Sequence, residues 1–482
     1  MTYFLGIDLG ASHLKAVLID AQSQPLAQAA APIATQQPHI GQAEQNPDDW
    51  RNALVQALVA IKAAIGTFDG LAGIAVSGGA HIGVLCAHNA RPLRPAILWS
   101  DQRAHAEAQQ LAQDGKVEKL AYNRPNATWT LPHLIWLQNN EPHHIKNCQK
   151  FYFAKDWLRA QLTDDHTSDF GEAVGGMLGD FKTRKWSDTL LNLSGLGGHA
   201  VPHLCAPTAQ TGSVTAAACA AFGLPKGVPV YQGSIDTSVE FLCCAPLAPQ
   251  TASLKLASAG VLSFSAKTST PHPPISLYPH ILEGAVYHAA GMNMCMTAID
   301  WVGRTLFAGL TAAQLAEHAA SAPPNAHNVL FHPYLAGERA PLWKPDLTAQ
   351  FSGLSRASNR ADIARAAFEG VGHALTEIWH DMTDKLYQPD LLHVMGGGAA
   401  SDFWCQMLAD MLNTPLHRAT QTDCSFATAL LAGVAHGQFD TFSQAALLAT
   451  NSQQKQIEFM PDKTRHNDYA EAHKNFIDAR FL

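Results

Sequence analysis

The chain has 482 residues, of which 47% are hydrophobic and 15% are charged, and its formal net charge is −8. This composition is typical of a packed globular protein and excludes a disordered chain, while the length predicts two or three domains. The negative charge, without any basic run, argues against nucleic acid as a partner. No apolar run reaches the roughly 18 residues of a membrane span, and the N-terminus lacks a signal-peptide pattern, so a cytoplasmic protein without a membrane partner is expected.

Cysteine and histidine usage predicts neither disulfides nor a structural metal site. The nine cysteines are scattered, odd in number and mostly set in apolar sequence, which favours buried, reduced thiols. The 24 histidines form no metal-ligand pair beside a carboxylate in a helical context, and no Cys-x-x-Cys occurs. A transition-metal centre is therefore not expected.

The N-terminal part of the chain predicts strands followed by helices. Apolar runs predict strands at 3–9, 14–20, about 26–33, 71–77 and 82–87. Helices are predicted at about 47–65, 101–121, 130–140 and 155–163. The first helix begins at Asn46-Pro47, because proline and the acidic residues that follow it are favoured in a first turn. Three strands, a helix and a further strand resemble the opening of the ribonuclease-H-like fold.

The composition changes near residue 225. A short strand at 230–233 leads to Thr237-x-x-Glu240, which predicts a capping box that opens a helix. Strands at 252–258 and 260–266 form a weak internal repeat of the opening hairpin, which places a boundary near 245 and predicts domains 1–245 and 246–482. Further helices are predicted at about 292–308, 312–320, 361–386, 402–413 and 424–436, and strands near 328–332 and 391–396. This alternation indicates an α/β protein.

The turn between the first two strands contains Gly10 and Ser12, and Asp8 precedes it. Exposed N–H groups at such a turn bind phosphate oxygens, and an aspartate at a strand end can hold the divalent cation that accompanies a nucleotide. A buried carboxylate requires a positive partner, and Lys15 is the predicted partner of Asp8. The alternative interpretation is a tight hairpin turn without further function.

Asp236 stands between a predicted strand and a predicted helix. As a functional residue it is a general base that takes a proton from a substrate hydroxyl. As a structural residue it is one of the acids common at helix N-termini. A third element, the glycines at 396–398, follows a strand and precedes a helix, so backbone there can approach a charged ligand closely. Its spacing does not fit a dinucleotide fingerprint, and Trp404 is expected in the core.

These motifs make the chain resemble the FGGY carbohydrate kinases, and within them the xylulokinase-like branch, over nearly its whole length. The matching segments are residues 6–15, 44–50, 94–103, 155–158, 333–341, 351–354, 362–369 and 396–410. The resemblance implies an α/β fold of two ribonuclease-H-like domains of the actin/hexokinase ATPase type around a central cleft. It also implies that ATP, with Mg²⁺, phosphorylates a sugar hydroxyl.

The resemblance also implies roles for individual residues. Asp236 becomes the catalytic base, and Asp8 and Asp236 lie at Mg²⁺ through the nucleotide. The sugar side is assigned to His81, Asp101 and Arg103. The nucleotide side is assigned to Asp8, Gly10, Ser12, Lys15, Ser258, Gly397, Gly398 and Ala399.

Departures from the family pattern keep several hypotheses open. Gly79 and Ala80 replace two large side chains of the family's xylulose pocket, which predicts a roomier site. D-xylulose is the first candidate substrate, and ribulose, fuculose, gluconate or a sugar alcohol is the alternative. A catalytically lapsed sugar-binding homologue is a third hypothesis, because residues 257–260 depart from the family's Gly-Thr-Ser-Gly turn. A generic actin-like ATPase leaves the sugar-side residues without a role, and a homodimer stays open.

Overall fold

The computed structural model describes residues 2–245, 247–248, 250–268, 270–418, 423–450 and 457–481. The chain divides into two compact units. Unit 1 contains the described residues of 1–247, 278–286 and 421–453, and unit 2 contains those of 248–277, 287–420 and 454–482. Pro246 and Pro249, in the predicted boundary segment, lie outside the described residues. The division into domains 1–245 and 246–482 stays a prediction.

The strands and helices alternate along the chain. The strands are β1 (Tyr3–Leu9), β2 (His13–Asp20), β3 (Pro25–Pro32), β4 (Glu44–Gln45), β5 (Leu71–Gly78), β6 (Gly83–Cys86), β7 (Ala96–Ile97), β8 (Lys150–Phe153), β9 (Thr167–Asp169), β10 (Gly179–Asp180), β11 (Lys185–Trp186), β12 (His203–Cys205), β13 (Gln210–Ser213), β14 (Pro229–Tyr231), β15 (Ala252–Leu256), β16 (Gly260–Ala266), β17 (Ser276–Pro279), β18 (Val286–Met292), β19 (Leu330–His332), β20 (Gln350–Ser352), β21 (Leu392–Met395), β22 (Leu416–Arg418) and β23 (Ile457–Phe459). The helices are α1 (Pro47–Ile65), α2 (His105–Asp114), α3 (Lys116–Ala121), α4 (Thr130–Asn140), α5 (Pro142–Asn147), α6 (Ala154–Thr163), α7 (Phe170–Gly175), α8 (Asp188–Ser194), α9 (Ala216–Phe222), α10 (Asp236–Val239), α11 (Met296–Leu306), α12 (Ala312–Ala320), α13 (Arg360–Lys385), α14 (Asp402–Leu412), α15 (Cys424–His436), α16 (Phe442–Thr450) and α17 (Lys463–Asp478).

Unit 1 is built on a six-stranded sheet with the order β13-β14-β5-β1-β2-β3. Strands β1, β2 and β3 form the predicted antiparallel opening. Strand β5 pairs in parallel with β1, and β14 pairs in parallel with β5. Helix α1 begins as predicted, because the Asn46 side chain accepts the N–H of Asp48 and Pro47 occupies the first turn. The parallel strands place the carboxyl ends of β1, β5 and β14 at one edge of the sheet.

One face of β1 forms the apolar core of unit 1 with α1. Leu5, Ile7 and Leu9 are buried in the same cluster as Trp50 and Leu54 of α1. Successive side chains of a strand point to opposite faces. The remaining residues of β1 therefore face another element.

The opposite face of β1 is covered by α15, which comes from the far end of the chain. Gly6 lies directly against this helix, since a Cβ atom there would lie 2.0 Å from the Ser425 carbonyl oxygen. Phe4 packs against His436, with ring centroids 5.6 Å apart. By alternation, Asp8 belongs to this same face.

Unit 2 contains a seven-stranded sheet with the order β17-β18-β16-β15-β21-β22-β23. Strands β15 and β16 form an antiparallel hairpin, and β15 also pairs in parallel with β21. This arrangement repeats that of β1 with β2 and β5, as the predicted internal repeat requires. The 26-residue helix α13 begins with a capping box of Asn359 and Asp362, and it buries residues such as Phe368 and Trp379 in the core of this unit.

Two local predictions were wrong. The predicted helix over 101–121 is two helices, α2 and α3, because Gly115 takes a left-handed conformation with φ of 65° between them. The predicted capping box of Thr237 and Glu240 does not form. Helix α10 begins at Asp236 with Ile235 at its N-cap and no side-chain cap, and Glu240 already starts a 3-10 turn.

All nine cysteines are free, and seven of them are buried as predicted, while Cys205 and Cys219 are half-buried. Trp404 is fully buried, which confirms its place in the core. Within the described ranges, none of the helices combines the length and apolar character that a membrane span requires.

Candidate functional site

Asp8 lies near the end of β1, directly beside Ser77 of β5 in the parallel register. Its side chain is buried, and the Ser77 hydroxyl donates to Asp8 Oδ1 at 3.0 Å. Burial raises the pKa of Asp8 to about 6, reinforced by the charges of Asp236 and Asp423 and opposed by the Ser77 hydrogen bond. Three carboxylates therefore share one neighbourhood in unit 1.

Asp236 reaches the same edge of the sheet through the third parallel strand. After β14, Ile235 forms an isolated parallel bridge with Gly78, the last residue of β5. Asp236 Oδ1 accepts the N–H of Thr237 at 2.7 Å. The structure thus brings together Asp8 and Asp236, the two residues expected at a metal ion.

The predicted phosphate-binding turn follows Asp8 directly. The Gly10 N–H donates to the His13 carbonyl at 3.1 Å, which closes the turn. Ser12 is exposed, and its hydroxyl lies 3.1 Å from the His13 ring nitrogen Nδ1. Both predicted residues lie on this turn, where Gly10 is half-buried and the side chain of Ser12 is open to solvent.

Lys15, the predicted partner of Asp8, makes its direct ion pair with another carboxylate. Lys15 lies opposite Asp8 across the β1–β2 hairpin, but its ammonium pairs with Asp423 Oδ2 at 2.8 Å. Burial lowers the pKa of Lys15, but the hydrogen bond and charge of Asp423 outweigh this and raise it overall. For Asp423, burial acts to raise the pKa, and hydrogen bonds from Lys15 and Ser425 bring it below its usual value.

His81 is buried within unit 1. Its backbone has a φ of 51°, and its N–H donates to Glu172 Oε2 at 2.7 Å. Its ring centroid lies 4.9 Å from that of Trp129. Burial, together with neighbouring His133, lowers the pKa of His81 to about 3, so the imidazole is neutral at pH 7.

Asp101 and Arg103 form a buried ion pair. The Arg103 guanidinium donates to both oxygens of Asp101, from Nε at 2.9 Å and from Nη2 at 2.8 Å, and its Nη1 lies 2.7 Å from Glu44 Oε1. Asp101 Oδ2 also accepts the Ala43 N–H at 2.6 Å. These contacts give both residues a structural role, and their predicted part in sugar binding stays a prediction.

In unit 2, Ser258 lies in the turn between β15 and β16. Its carbonyl accepts the Cys295 N–H at 2.9 Å and the Thr297 hydroxyl at 3.1 Å. Because β15 and β21 are parallel, this turn and the glycine loop after β21 lie at the same edge of the sheet of unit 2.

The glycine loop after β21 combines tight packing with one open position. At Gly396, with φ of 89°, a Cβ would lie 2.5 Å from a backbone oxygen of β15. At Gly398 a Cβ would lie 2.6 Å from the Trp404 ring, whereas at Gly397 it would meet nothing within 4 Å. Ala399 is buried. Of the three predicted adenosine contacts, Gly397 has open space beside it.

Sequence reasoning misses the polar residues that α15 brings to Asp8. The Thr428 hydroxyl lies 2.6 Å from the Ser77 hydroxyl, and Cys424 Sγ lies 3.4 Å from the same oxygen. The signal in the sequence that points to these residues is Thr428, a polar residue inside the otherwise apolar run of α15. Over the ranges that the structure covers, no group of three or more His, Cys, Asp or Glu side chains has the geometry of a metal site.

Known protein families and individual proteins match this chain along most of its length. Residues 3–243 match the N-terminal domain of the FGGY family of carbohydrate kinases, and residues 259–436 match its C-terminal domain. The chain is 30% identical to a xylulose kinase of Escherichia coli, over 95% of this chain and 92% of the relative. It is 26% identical to a gluconokinase of Bacillus licheniformis, over 92% of this chain and 89% of the relative.

The fold comparison agrees with the sequence comparison. The crystal structure of a xyloylose kinase from Brucella ovis superposes with a TM-score of 0.91 at 28% identity, covering 99% of this chain and 98% of the other. This confirms the predicted fold class, two α/β domains of the actin/hexokinase type. The chain therefore belongs to the FGGY family of carbohydrate kinases and is an ATP-dependent carbohydrate kinase.

Proposed function

We propose that this kinase phosphorylates a hydroxyl of a ketopentose such as D-xylulose, with Asp236 as general base and Mg²⁺ as the metal. The observation that carries the proposal is the proximity of Asp8 and Asp236 where β1, β5 and β14 end. In open α/β sheets, ligands bind outside the carboxyl ends of the parallel strands. The similarity to xylulose kinases supports the ketopentose as substrate.

Further residues complete the proposed site. On the sugar side we assign His81, Asp101 and Arg103. For the nucleotide phosphates in unit 1 we assign Gly10, Ser12 and Lys15. For nucleotide binding in unit 2 we assign Ser258, Gly397, Gly398 and Ala399.

The residues around Asp8 fit Mg²⁺. Asp8 and Asp236 offer carboxylate oxygens, and protein-bound Mg²⁺ is typically held by one or two carboxylates together with substrate phosphates. Burial and the neighbouring negative charges raise the pKa of Asp8 to about 6, so they disfavour its ionised form. A divalent cation bound beside Asp8 stabilises the ionised form. When bound, the ion neutralises charge on the transferred phosphoryl group.

Asp236 would act on the sugar. Its carboxylate accepts the proton of the attacking hydroxyl while the new bond from the sugar oxygen to the γ-phosphorus forms and the bond to the bridging oxygen of ADP breaks. The Thr237 N–H holds Asp236 Oδ1 at 2.7 Å, which leaves Oδ2 to receive the proton. ADP and the sugar phosphate are released, and the proton passes from Asp236 to solvent.

A larger or differently configured sugar is the second candidate substrate. A Cβ at Gly79 would meet Ile82 and Trp99 at 3.8 and 3.9 Å, which is ordinary contact. The glycine therefore leaves space that a longer side chain, such as the family's glutamine, would fill. The similarity to a gluconokinase supports the same alternative.

Replacing Asp236 tests its role as base. The Asp236→Asn variant should lose roughly three orders of magnitude in kcat, because general-base catalysis contributes about 10²- to 10⁴-fold, while its melting temperature stays unchanged. The exposed Asp69→Asn variant is the matched control and should keep full activity. Near-wild-type turnover in the Asp236 variant would refute the proposed role.

A substrate panel tests the sugar. ADP release should be measured with D-xylulose, ribulose, fuculose, gluconate and xylitol, and the highest kcat/KM is expected with D-xylulose. A higher value with another compound favours the second candidate. If calorimetry shows that a sugar binds but no compound of the panel causes ATP to be converted to ADP, the protein is a catalytically lapsed homologue and the proposal is contradicted.

A further inference from the structure

We propose that Asp423 is a positioning residue that holds the Lys15 ammonium away from Asp8, so that Asp8 stays free for the metal and Lys15 for phosphate. The inference rests on the proposed function, in which Lys15 and Asp8 both face the nucleotide phosphates. Asp423 belongs to neither of the strands that carry these residues, since it is the N-cap of α15.

Lys15 has two carboxylates within reach. It is the Cα partner of Asp8 in the antiparallel β1–β2 register, and opposite charges in such cross-strand pairs attract each other. Its ammonium nevertheless pairs with Asp423 Oδ2 at 2.8 Å. The Lys15 side chain is 47% exposed and that of Asp423 is 30% exposed, so an incoming phosphate can reach the pair.

Asp423 is a fixed acceptor. Its other oxygen, Oδ1, accepts the Ser425 N–H at 2.9 Å and the Ser425 hydroxyl at 2.5 Å. The 13-residue helix α15 that follows is anchored on the sheet by the close approach at Gly6. The carboxylate is therefore held with Oδ2 directed at Lys15.

The charge balance explains why this contact matters. Burial and the nearby charges of Asp236 and Asp423 raise the pKa of Asp8, and Lys15 forms an ion pair with Asp423, one of these three carboxylates. Without the Asp423 charge, the nearest carboxylate for Lys15 is its cross-strand neighbour Asp8. That pair would occupy both the proposed metal ligand and the proposed phosphate ligand, and a preordered cation would be lost.

The Asp423→Asn variant isolates the charge. Asparagine caps a helix as well as aspartate does, so α15 and the melting temperature should be unchanged. Binding of the magnesium complex of AMP-PNP, measured by calorimetry, should weaken about tenfold, the scale of one charge-assisted hydrogen bond. In kinetics, the KM for ATP should rise by a similar factor, with a smaller change in kcat.

A double-mutant cycle with Lys15→Met separates positioning from a general effect. Lys15→Met should also weaken Mg·AMP-PNP binding about tenfold, and the double variant should bind no worse than Lys15→Met alone. Additive losses, unchanged binding in Asp423→Asn, or unchanged binding in Lys15→Met would each overturn the inference. If wild-type protein phosphorylates none of the sugars while the non-additive pattern holds, the proposed substrate fails and the role of Asp423 stands.

Discussion

Asp8 shows how a buried carboxylate is accommodated inside an apolar strand. Its neighbours Ile7 and Leu9 are fully or almost fully buried, and a carboxylate in such surroundings is costly unless polar groups compensate it. The Ser77 hydroxyl supplies a hydrogen bond, while the charges of Asp236 and Asp423 oppose ionisation. Because the resulting pKa is about 6, Asp8 is ionised at neutral pH and becomes protonated in mild acid.

This balance predicts an acidic limb in the pH profile. If Asp8 must be ionised, kcat/KM falls as pH drops through about 6. Ser77→Ala removes the hydrogen bond that lowers the pKa, so the limb should move upward by about one pH unit, the shift that a lost bond of about 1.4 kcal/mol produces. The measurement is kcat/KM from pH 5 to 8 for both proteins. A limb that stays in place would contradict the role of Asp8.

At the scale of single residues, the sequence indicates which residues have a role better than it indicates which residues they contact. Asp8 and Lys15 are predictable because a charged residue inside an apolar strand requires an explanation. The partner of Lys15 is not predictable, because Asp423 lies 408 positions further along the chain and only folding brings the two together. Asp101 shows another limit: its carboxylate is already engaged by Arg103 and Ala43, which a motif does not reveal.

Helix α15 is the element on which the candidate site in unit 1 depends. It supplies Asp423, Cys424 and Thr428, and it lies on β1 so closely that only glycine fits at position 6. The absence of a side chain at Gly6 therefore sets the distance between helix and sheet.

A Gly6→Ala substitution should consequently be strongly destabilising. Its Cβ would lie 2.0 Å from the Ser425 carbonyl oxygen and 2.3 Å from the Ala429 nitrogen, and backbone atoms cannot move aside as a flexible side chain can. We expect a loss of about 3 kcal/mol in the free energy of unfolding, measured by urea denaturation. The matched control is Gly198→Ala, where a Cβ meets nothing within 4 Å, and it should change stability by less than about 0.5 kcal/mol. Equal stability of the two variants would contradict the packing argument.

The helices and strands were largely predictable, and so was the pairing of neighbouring strands, but the packing partner of α15 was not. The apolar pattern of 424–436 predicts α15 with the bounds that the structure has, but nothing in that pattern indicates packing on the first strand of the chain. The Thr237 and Glu240 spacing fits a capping box, yet the helix there ends within four residues. Short segments around a site are governed by tertiary contacts, which override local propensity.

The two compact units of the molecule are not consecutive halves of the sequence. Unit 1 combines the N-terminal residues with segments 278–286 and 421–453. The sheet formed by the first strands of the chain is thus covered by α15, a helix from near the C-terminal end of the chain.

This arrangement predicts the behaviour of fragments. A fragment of residues 1–247 lacks α15 and should not show a cooperative urea transition, because one face of β1 stays uncovered. Adding residues 278–286 and 423–450 through flexible linkers should restore a cooperative transition, followed by far-UV circular dichroism. A cooperative transition in the short fragment would contradict the prediction, and a reconstituted fragment with Gly6→Ala is the control for correct docking.

The late arrival of α15 also bears on how the protein is made. At about 5 to 20 residues per second, the 408 positions between Lys15 and Asp423 take roughly 20 to 80 s to synthesise. During that time the face of β1 that α15 covers in the folded protein stays uncovered. The N-terminal half waits for nearly the entire message to be translated, and chaperones have that interval in which to shield it.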